Sequence, residues 1–185
     1  FATFAPAAAA TKVDAVEINE AVVPLAQRYF DLDLSLFDLH IEDGRSFLFR
    51  TKKHYDAVIL DAFLGDSSPS HLMTREAFKS MHDVLNPGGV VVINCFGHLD
   101  NRRNFFIASL ERTLEAVFKK VKIHNSGGGN VFMVASDRAD MELVPPTDFS
   151  DVHPVVVAQV RKCYVGLVST APDRGRILTD DYNPV

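Results

Sequence analysis

Apolar and polar residues alternate over 12–18 (KVDAVEI), recur at helical spacing over 20–30, and alternate again over 36–41 (LFDLHI). Alternation puts successive side chains on opposite faces of a strand, whereas recurrence every three to four residues builds one face of a helix. The pattern predicts a strand at 12–18 and a helix at 20–30. Asn19 is the expected N-cap, and Val22, Val23, Ala26 and Tyr29 or Phe30 form the apolar face. Pro24 falls in the first turns, where it costs least. A second strand follows at 36–41, then a short helix at 45–51 with Phe47 and Leu48 inward. Residues 57–60 (AVIL) form a third, apolar strand. Thr74 opens a helix running to about residue 85, with Phe78, Met81 and Leu85 on one face and an acid, Glu76, displaced from the usual capping-box position. Asn86, Pro87, Gly88 and Gly89 make a sharp turn. The continuous apolar run 90–95 reads as a strand buried on both faces, as in parallel sheets. A long amphipathic helix covers 104–118, and runs at 121–124 and 131–135 flank NSGGGN as an antiparallel hairpin. Residues 1–10 read as the end of a helix stopped near Pro6, followed by a small-residue loop.

Strand and helix alternate through the first two-thirds of the chain, which predicts an α/β fold with a mostly parallel sheet closed by an antiparallel hairpin. The expected organisation is one domain over 1–140 and a C-terminal segment, 141–185, packing on it. That segment holds a linker at Pro145 and Pro146, a helix at 155–163 and the tail ILTDDYNPV. In such sheets ligands bind outside the carboxyl ends of the strands. The stretch YDAVILDAFLGDSSP, 55–69, has this form: an apolar strand runs into Asp61 and then into a loop rich in Gly, Ser and Asp.

Composition narrows the classes. With 185 residues, 47% apolar and 23% charged, the chain is long enough for one sizeable core. A net charge of −5 with no basic stripe argues against nucleic acid as the main partner and is compatible with a cationic substrate. Two cysteines, Cys95 and Cys163, each in an apolar run, point to core thiols in a reducing, cytoplasmic compartment. No apolar run approaches the ~20 residues of a membrane span, and no membrane contact is expected. FATFAPAAAA has no basic flank and is not expected to be a signal peptide.

Three acids stand at or just after three strand ends: Glu17, Asp43 and Asp61. A carboxylate at the end of the second strand of a nucleotide fold matches the two adjacent ribose hydroxyls, and Glu17 fits that role. Asp43, followed by Gly44, fits a position where backbone approaches a base. Each could instead be a helix N-terminal acid favoured by the macrodipole. His71, His82, His98 and His124 lack metal-ligand spacing, so no metal is expected; His71 could touch substrate from its loop. Ser67 and Ser68 have no matched His and Asp. Gly127, Gly128 and Gly129 precede a strand, so they suit a hairpin turn and not a phosphate loop. Asn94 either lines the pocket or simply ends its strand.

VEINEAVVPLAQRYF, EDGRSFL, YDAVILDAF and LNPGGVVVIN, in this order, resemble the spermidine synthase family of polyamine aminopropyltransferases. LTDDYNPV resembles the tail of spermidine-synthase-like proteins, including those fused to membrane segments. The resemblance implies a Rossmann-like, methyltransferase-type fold. It also implies a transferase that moves an aminopropyl group from decarboxylated S-adenosylmethionine to an amine such as putrescine. Glu17 would bind the donor's ribose, Asp43 with Gly44 its adenine, and Asp61 would orient and deprotonate the attacking amine. Asp66 or Tyr182 would help hold the amine, and Asp180, Asp181 and Tyr182 resemble the tail motif that closes near the substrate site in relatives, the alternative being an exposed acidic tail. Relatives are usually dimers, so a homodimer is possible.

Two departures matter. Leu64 stands where the family has a second aspartate, and Asp66 lies two residues later. The family's glycine-rich donor loop, its first strand and its N-terminal β-domain have no counterpart here, so upstream sequence, or another chain, is expected to supply them. The alternatives are a methyltransferase using S-adenosylmethionine on another small acceptor, and a noncatalytic domain retaining the scaffold.

Overall fold

A computed structural model describes residues 11–63, 69–100, 103–127, 130–142, 144, 148–150, 152–168, 170 and 174–184. The chain divides into two compact units, one reaching Thr51 and the other starting at Lys52.

In the first unit, β1 (Asp14–Glu17) pairs in parallel with β2 (Asp38–Ile41), with Glu17 opposite Ile41. Helix α1 (Val22–Phe30) makes the crossover between them. It starts later than the apolar pattern suggests. The Asn19 side-chain oxygen accepts from Ala21 N at 3.1 Å, so Asn19 closes a turn ahead of the helix and Ala21 takes the cap position. Only Val23 and Ala26 of α1 are buried, whereas Tyr29 and Phe30 are 64% and 71% exposed. The helix stops at Asp31, whose φ of 51° is left-handed and suits a short polar side chain. Helix α2 (Gly44–Arg50) packs against β1, with Phe47 against His40 at 4.7 Å between ring centroids. His40 Nε2 in turn meets Asp14 Oδ1 at 2.7 Å.

In the second unit, five strands lie in the order β3-β4-β6-β5-β7. β3 (Tyr55–Leu60) and β4 (Leu85–Phe96) are parallel. β6 (Asn130–Ser136) runs antiparallel to β4, and β5 (Lys120–Gly127) antiparallel to β6, forming the expected hairpin. A short β7 (Leu167–Val168) joins the far edge of β5. The sheet is thus mixed: parallel on the β3 side and antiparallel beyond β4.

Strand β4 begins at Leu85, expected to close the preceding helix, and runs on through Asn86 to Gly89, the stretch expected to be only a turn. The turn survives as an irregularity within the strand, since Tyr55 pairs with Leu85 but Ala57 pairs with Val90. Gly88 absorbs it at φ 79°, a conformation that glycine adopts without penalty. From Val91 on, β4 is the centre of the core: Val91, Ile93 and Cys95 have no exposure. β3 is less buried than a parallel strand was expected to be. Leu60 is 8% exposed, but Ile59 is 57% exposed, because β3 ends the sheet as described.

Helix α3 (Arg75–Asp83) follows β3 and buries Ala77, Phe78 and Met81. Its N-cap is Thr74, as the sequence suggests, with Oγ1 accepting from Ala77 N at 3.2 Å. Helix α4 (Phe105–Glu115) buries Ile107, Leu110 and Leu114. Helix α5 (Pro154–Val165) packs against β5. Pro145 and Pro146 lie outside the described residues. The C-terminal tail returns to this unit and places Leu178 in its core with no exposure.

Two outcomes follow. Leu178→Ala should lower unfolding stability by about 2–5 kcal/mol, the usual cost of a large-to-small change in a core, read by chemical denaturation. A tail that contributes no core would instead leave the midpoint unchanged. Burial pushes the Cys95 thiol up to about 12, so at pH 8 it stays protonated. Peptide mapping after maleimide treatment should find Cys95 unlabelled in the folded protein and labelled after denaturation.

Candidate active site

Parallel pairing places chemistry at the carboxyl ends of strands in both units. In the first unit, Glu17 is the last residue of β1, and Asp43 lies just past the end of β2. The two strands are parallel neighbours, so these two carboxylates share one sheet end. Glu17 is half-buried, and its Oε1 accepts from Asn19 N at 2.7 Å. Asp43 caps α2, with Oδ1 accepting from Ser46 N at 2.9 Å. The helix-terminus role weighed for these acids is therefore realised at Asp43. A cap uses one carboxylate oxygen, and α2 begins at Gly44, where the backbone has no side chain in the way. The adjacent Glu42 is bound by the guanidinium of Arg50 through both of its oxygens.

In the second unit, Asp61 directly follows the last residue of β3. The β3–β4 register sets Leu60 beside Ile93, which brings Asp61 to Asn94. Asn94 donates from its amide nitrogen to Asp61 Oδ1 at 2.9 Å. Its other amide atom, Oδ1, is buried and has no hydrogen-bond partner among the described residues. Phe63 and Phe96, two residues along from Asp61 and Asn94, meet as tilted rings with centroids 5.0 Å apart. The result is an exposed carboxylate with one oxygen fixed by an amide and an adjacent buried acceptor. An amide donor holds the carboxylate in one orientation, and the remaining acceptors suit an incoming N–H group. Asn94 is thus more than the end of its strand.

Tyr182 lies on the C-terminal tail, in a tight turn closed by Thr179 N to Tyr182 O at 2.9 Å and Tyr182 N to Thr179 O at 3.1 Å. Its ring is 45% exposed, with the Arg176 guanidinium carbon 5.9 Å from the ring centroid. Asp66, Leu64, Ser67, Ser68, Gly128 and Gly129 lie outside the described residues. The histidines are dispersed. His71 is exposed in a short 3₁₀ turn (Ser70–Leu72), His98 is exposed, and His124 is buried. His82 contacts Asp137 at 3.2 Å. Among the described residues, no group of three or more His, Cys, Asp or Glu side chains could hold a metal ion, and no helix is long and apolar enough to cross a membrane. Cys95 is a core thiol whose sulfur donates to Val131 O at 3.6 Å; the Cys163 side chain is not among those described.

Comparison with known proteins gives this geometry a context. The spermine/spermidine synthase domain family matches residues 7–135. Polyamine aminopropyltransferase 2 of Pseudomonas aeruginosa is 33% identical over 140 residues, which cover 68% of this chain and 39% of that protein. The chain therefore spans about two-fifths of that relative's length. Among solved structures, a probable spermidine synthase from Corynebacterium glutamicum superposes with a TM-score of 0.60 at 24% identity, covering 80% of this chain and 53% of the other. Human methyltransferase-like protein 13, in complex with SAH, reaches 0.59 at 19% identity, covering 83% and 69%. These likenesses show a Rossmann-like α/β fold shared by spermidine synthases and methyltransferases.

The capping role of Asp43 can be tested by mutation. Asp43→Asn keeps an N-cap acceptor and should leave stability within a few tenths of a kcal/mol. Asp43→Ala should cost about 1 kcal/mol in chemical denaturation. Equal stabilities for the two variants would show that the cap contributes nothing.

Proposed function

Since the chain belongs to the spermine/spermidine synthase family, we propose that it carries the catalytic residues of an aminopropyltransferase that uses decarboxylated S-adenosylmethionine and an amine acceptor such as putrescine. The observation that carries this reading is the Asp61–Asn94 pair at the end of β3. An alkyl amine is protonated in water near pH 7 and is then no nucleophile. Asp61 would hold the ammonium and take its proton while Asn94 keeps the carboxylate turned toward it. The buried Asn94 Oδ1 would accept a second N–H of the same amine. The donor, when bound, supplies an electrophilic carbon beside a sulfonium. The amine nitrogen bonds to that carbon as the carbon–sulfur bond breaks, the electron pair stays on sulfur to give the neutral thioether methylthioadenosine, and the amine proton ends on Asp61. Alignment does most of the remaining work, since attack and departure must be in line.

Glu17 and Asp43 suit the nucleoside part of the donor. Both are acceptors at the carboxyl ends of adjacent parallel strands, matching the hydroxyl donors of a ribose and the amino group of an adenine. Asp66 and Tyr182 are assigned to the far end of the amine. A second reading, transfer of a methyl group from S-adenosylmethionine to another small acceptor, is favoured by Leu64, an apolar residue where the family has a second aspartate to hold a diamine.

In the intact protein, Asp61→Asn should lower turnover by about 10²–10⁴-fold, the span of a lost general base, with methylthioadenosine affinity by calorimetry within twofold of wild type. Full activity in this variant would remove Asp61 from the chemistry. Glu17→Gln should instead weaken methylthioadenosine binding about tenfold, the effect of losing a charge-assisted hydrogen bond. Product analysis with each donor separates the two readings. Methyl transfer without aminopropyl transfer selects the second, and failure to bind either donor or methylthioadenosine sinks both.

A further inference from the structure

Helix α2 has little packing to hold it. None of its residues is buried, and Phe49 is 84% exposed. Its start is nevertheless where the nucleoside-facing turn must be set, since Asp43 and Gly44 lie at the junction of β2 and α2. Polar ties take the place of burial there. Glu42 N donates to Glu17 O at 3.1 Å, which carries the parallel pairing one step past the end of β2. Asp43 O accepts from Phe47 N at 3.0 Å, while its side chain caps Ser46 N. These bonds anchor the first turn of α2 and do not reach its last.

The final residue of α2 supplies the missing tie. Side chains on a helix lean toward its N-terminus. The 7 residues of α2 rise only about 10 Å, so the long Arg50 side chain can run back along the helix. It meets Glu42, where one guanidinium nitrogen, Nη2, donates to both carboxylate oxygens. The Glu42 side chain is 20% exposed and that of Arg50 63%. The pair therefore joins a largely covered acid beside Asp43 to a cation at the far end of the helix. It also settles the charge at this sheet end, where Glu17, Glu42 and Asp43 stand at the ends of two adjacent strands. A largely covered carboxylate stripped of its cation would turn toward solvent or toward another donor nearby.

We propose that Arg50 and Glu42 are positioning residues for the donor's nucleoside: their ion pair braces α2 against the end of β2 and so fixes Asp43 and Gly44 relative to Glu17. This rests on the reading of Glu17 and Asp43 as the ribose and adenine acceptors. A nucleoside has a single rotatable bond between its ribose and its base, so two acceptors that bind its ends must keep one separation. A tilt of α2 would shift Asp43 and leave Glu17, the last residue of β1, in place. Neither Arg50 nor Glu42 needs to touch the donor. Because one nitrogen makes both bonds, the ammonium of a lysine can replace the guanidinium here, which it could not do at a two-nitrogen fork.

The test uses calorimetry with methylthioadenosine and steady-state kinetics of the intact protein with putrescine and decarboxylated S-adenosylmethionine. Arg50→Ala should weaken methylthioadenosine binding and raise the donor KM about fivefold, the upper end of what an exposed ion pair contributes. The putrescine KM, kcat at saturating donor and the thermal midpoint should stay near wild type. Arg50→Lys should restore methylthioadenosine affinity to within twofold of wild type. Glu42→Gln combined with Arg50→Ala should be no worse than the more damaging single change, because both remove one pair. If Arg50→Ala binds methylthioadenosine as wild type does, or loses only thermal stability, the pair has no positioning role. A putrescine KM that rises as much as the donor KM would overturn the proposal as well, and so would a lysine variant no better than the alanine one. Wild-type protein that binds neither donor nor methylthioadenosine would sink the reading of Glu17 and Asp43 itself, an outcome distinct from the others.

Discussion

The register between β3 and β4 is the constraint on which the rest of the second unit depends. Pairing Leu60 with Ile93 leaves Asp61 just beyond the last rung, beside Asn94. A slip of one residue would turn Ile93 and Cys95 out of the core, so register is enforced by the full burial of Val91, Ile93 and Cys95 on one face of β4. The antiparallel pairing with β6 holds the other side of that strand over its whole apolar length. Hydrophobic burial thus sets the position of a polar pair that makes no contribution to the core.

Much of this was legible because it is local. Alternation and helical spacing located each strand and helix up to β6, and Thr74 announced the start of α3 through its own cap. Carboxylates at strand ends followed from the same reading, since a polar residue just after an apolar run marks where a strand leaves the core. Errors arose where local pattern and tertiary setting part. Asn19 is a good cap in isolation, but it closes the turn ahead of α1. The periodicity of α1 marks an apolar face without saying what covers it, and Tyr29 and Phe30 stand exposed. The shifted acid Glu76 looked like an imperfect capping box, and its second oxygen is used by a residue 104 positions away.

Nothing local foretold the tail contacts. Bonds such as Thr74 to Asp180 join residues 106 positions apart and leave no period in the sequence. The tail also rests on hydroxyls at Ser109 and Thr113, which accept from Arg176 N and Leu178 N and in a helix pattern look like ordinary polar interruptions of an apolar face. Their value appears only when a returning strand-like segment needs acceptors for its backbone N–H groups, which cannot be buried unpaired. Asn94 is similar. Its type fits the end of a strand, and only the register shows that it faces a carboxylate.

The sheet's β3 end carries a practical consequence. A strand that ends a sheet offers a row of backbone donors and acceptors to any other strand, and here Ile59 adds an outward apolar side chain. Natural edge strands are blunted with lysine, proline or a bulge; β3 carries Asp56 and an irregularity between Tyr55 and Ala57, and only from Ala57 to Leu60 is it wholly apolar. Within the second unit as described, the run 57–60 is therefore the stretch at which a further strand could extend this sheet. A lysine in place of Ile59 is the substitution that would most oppose such an addition.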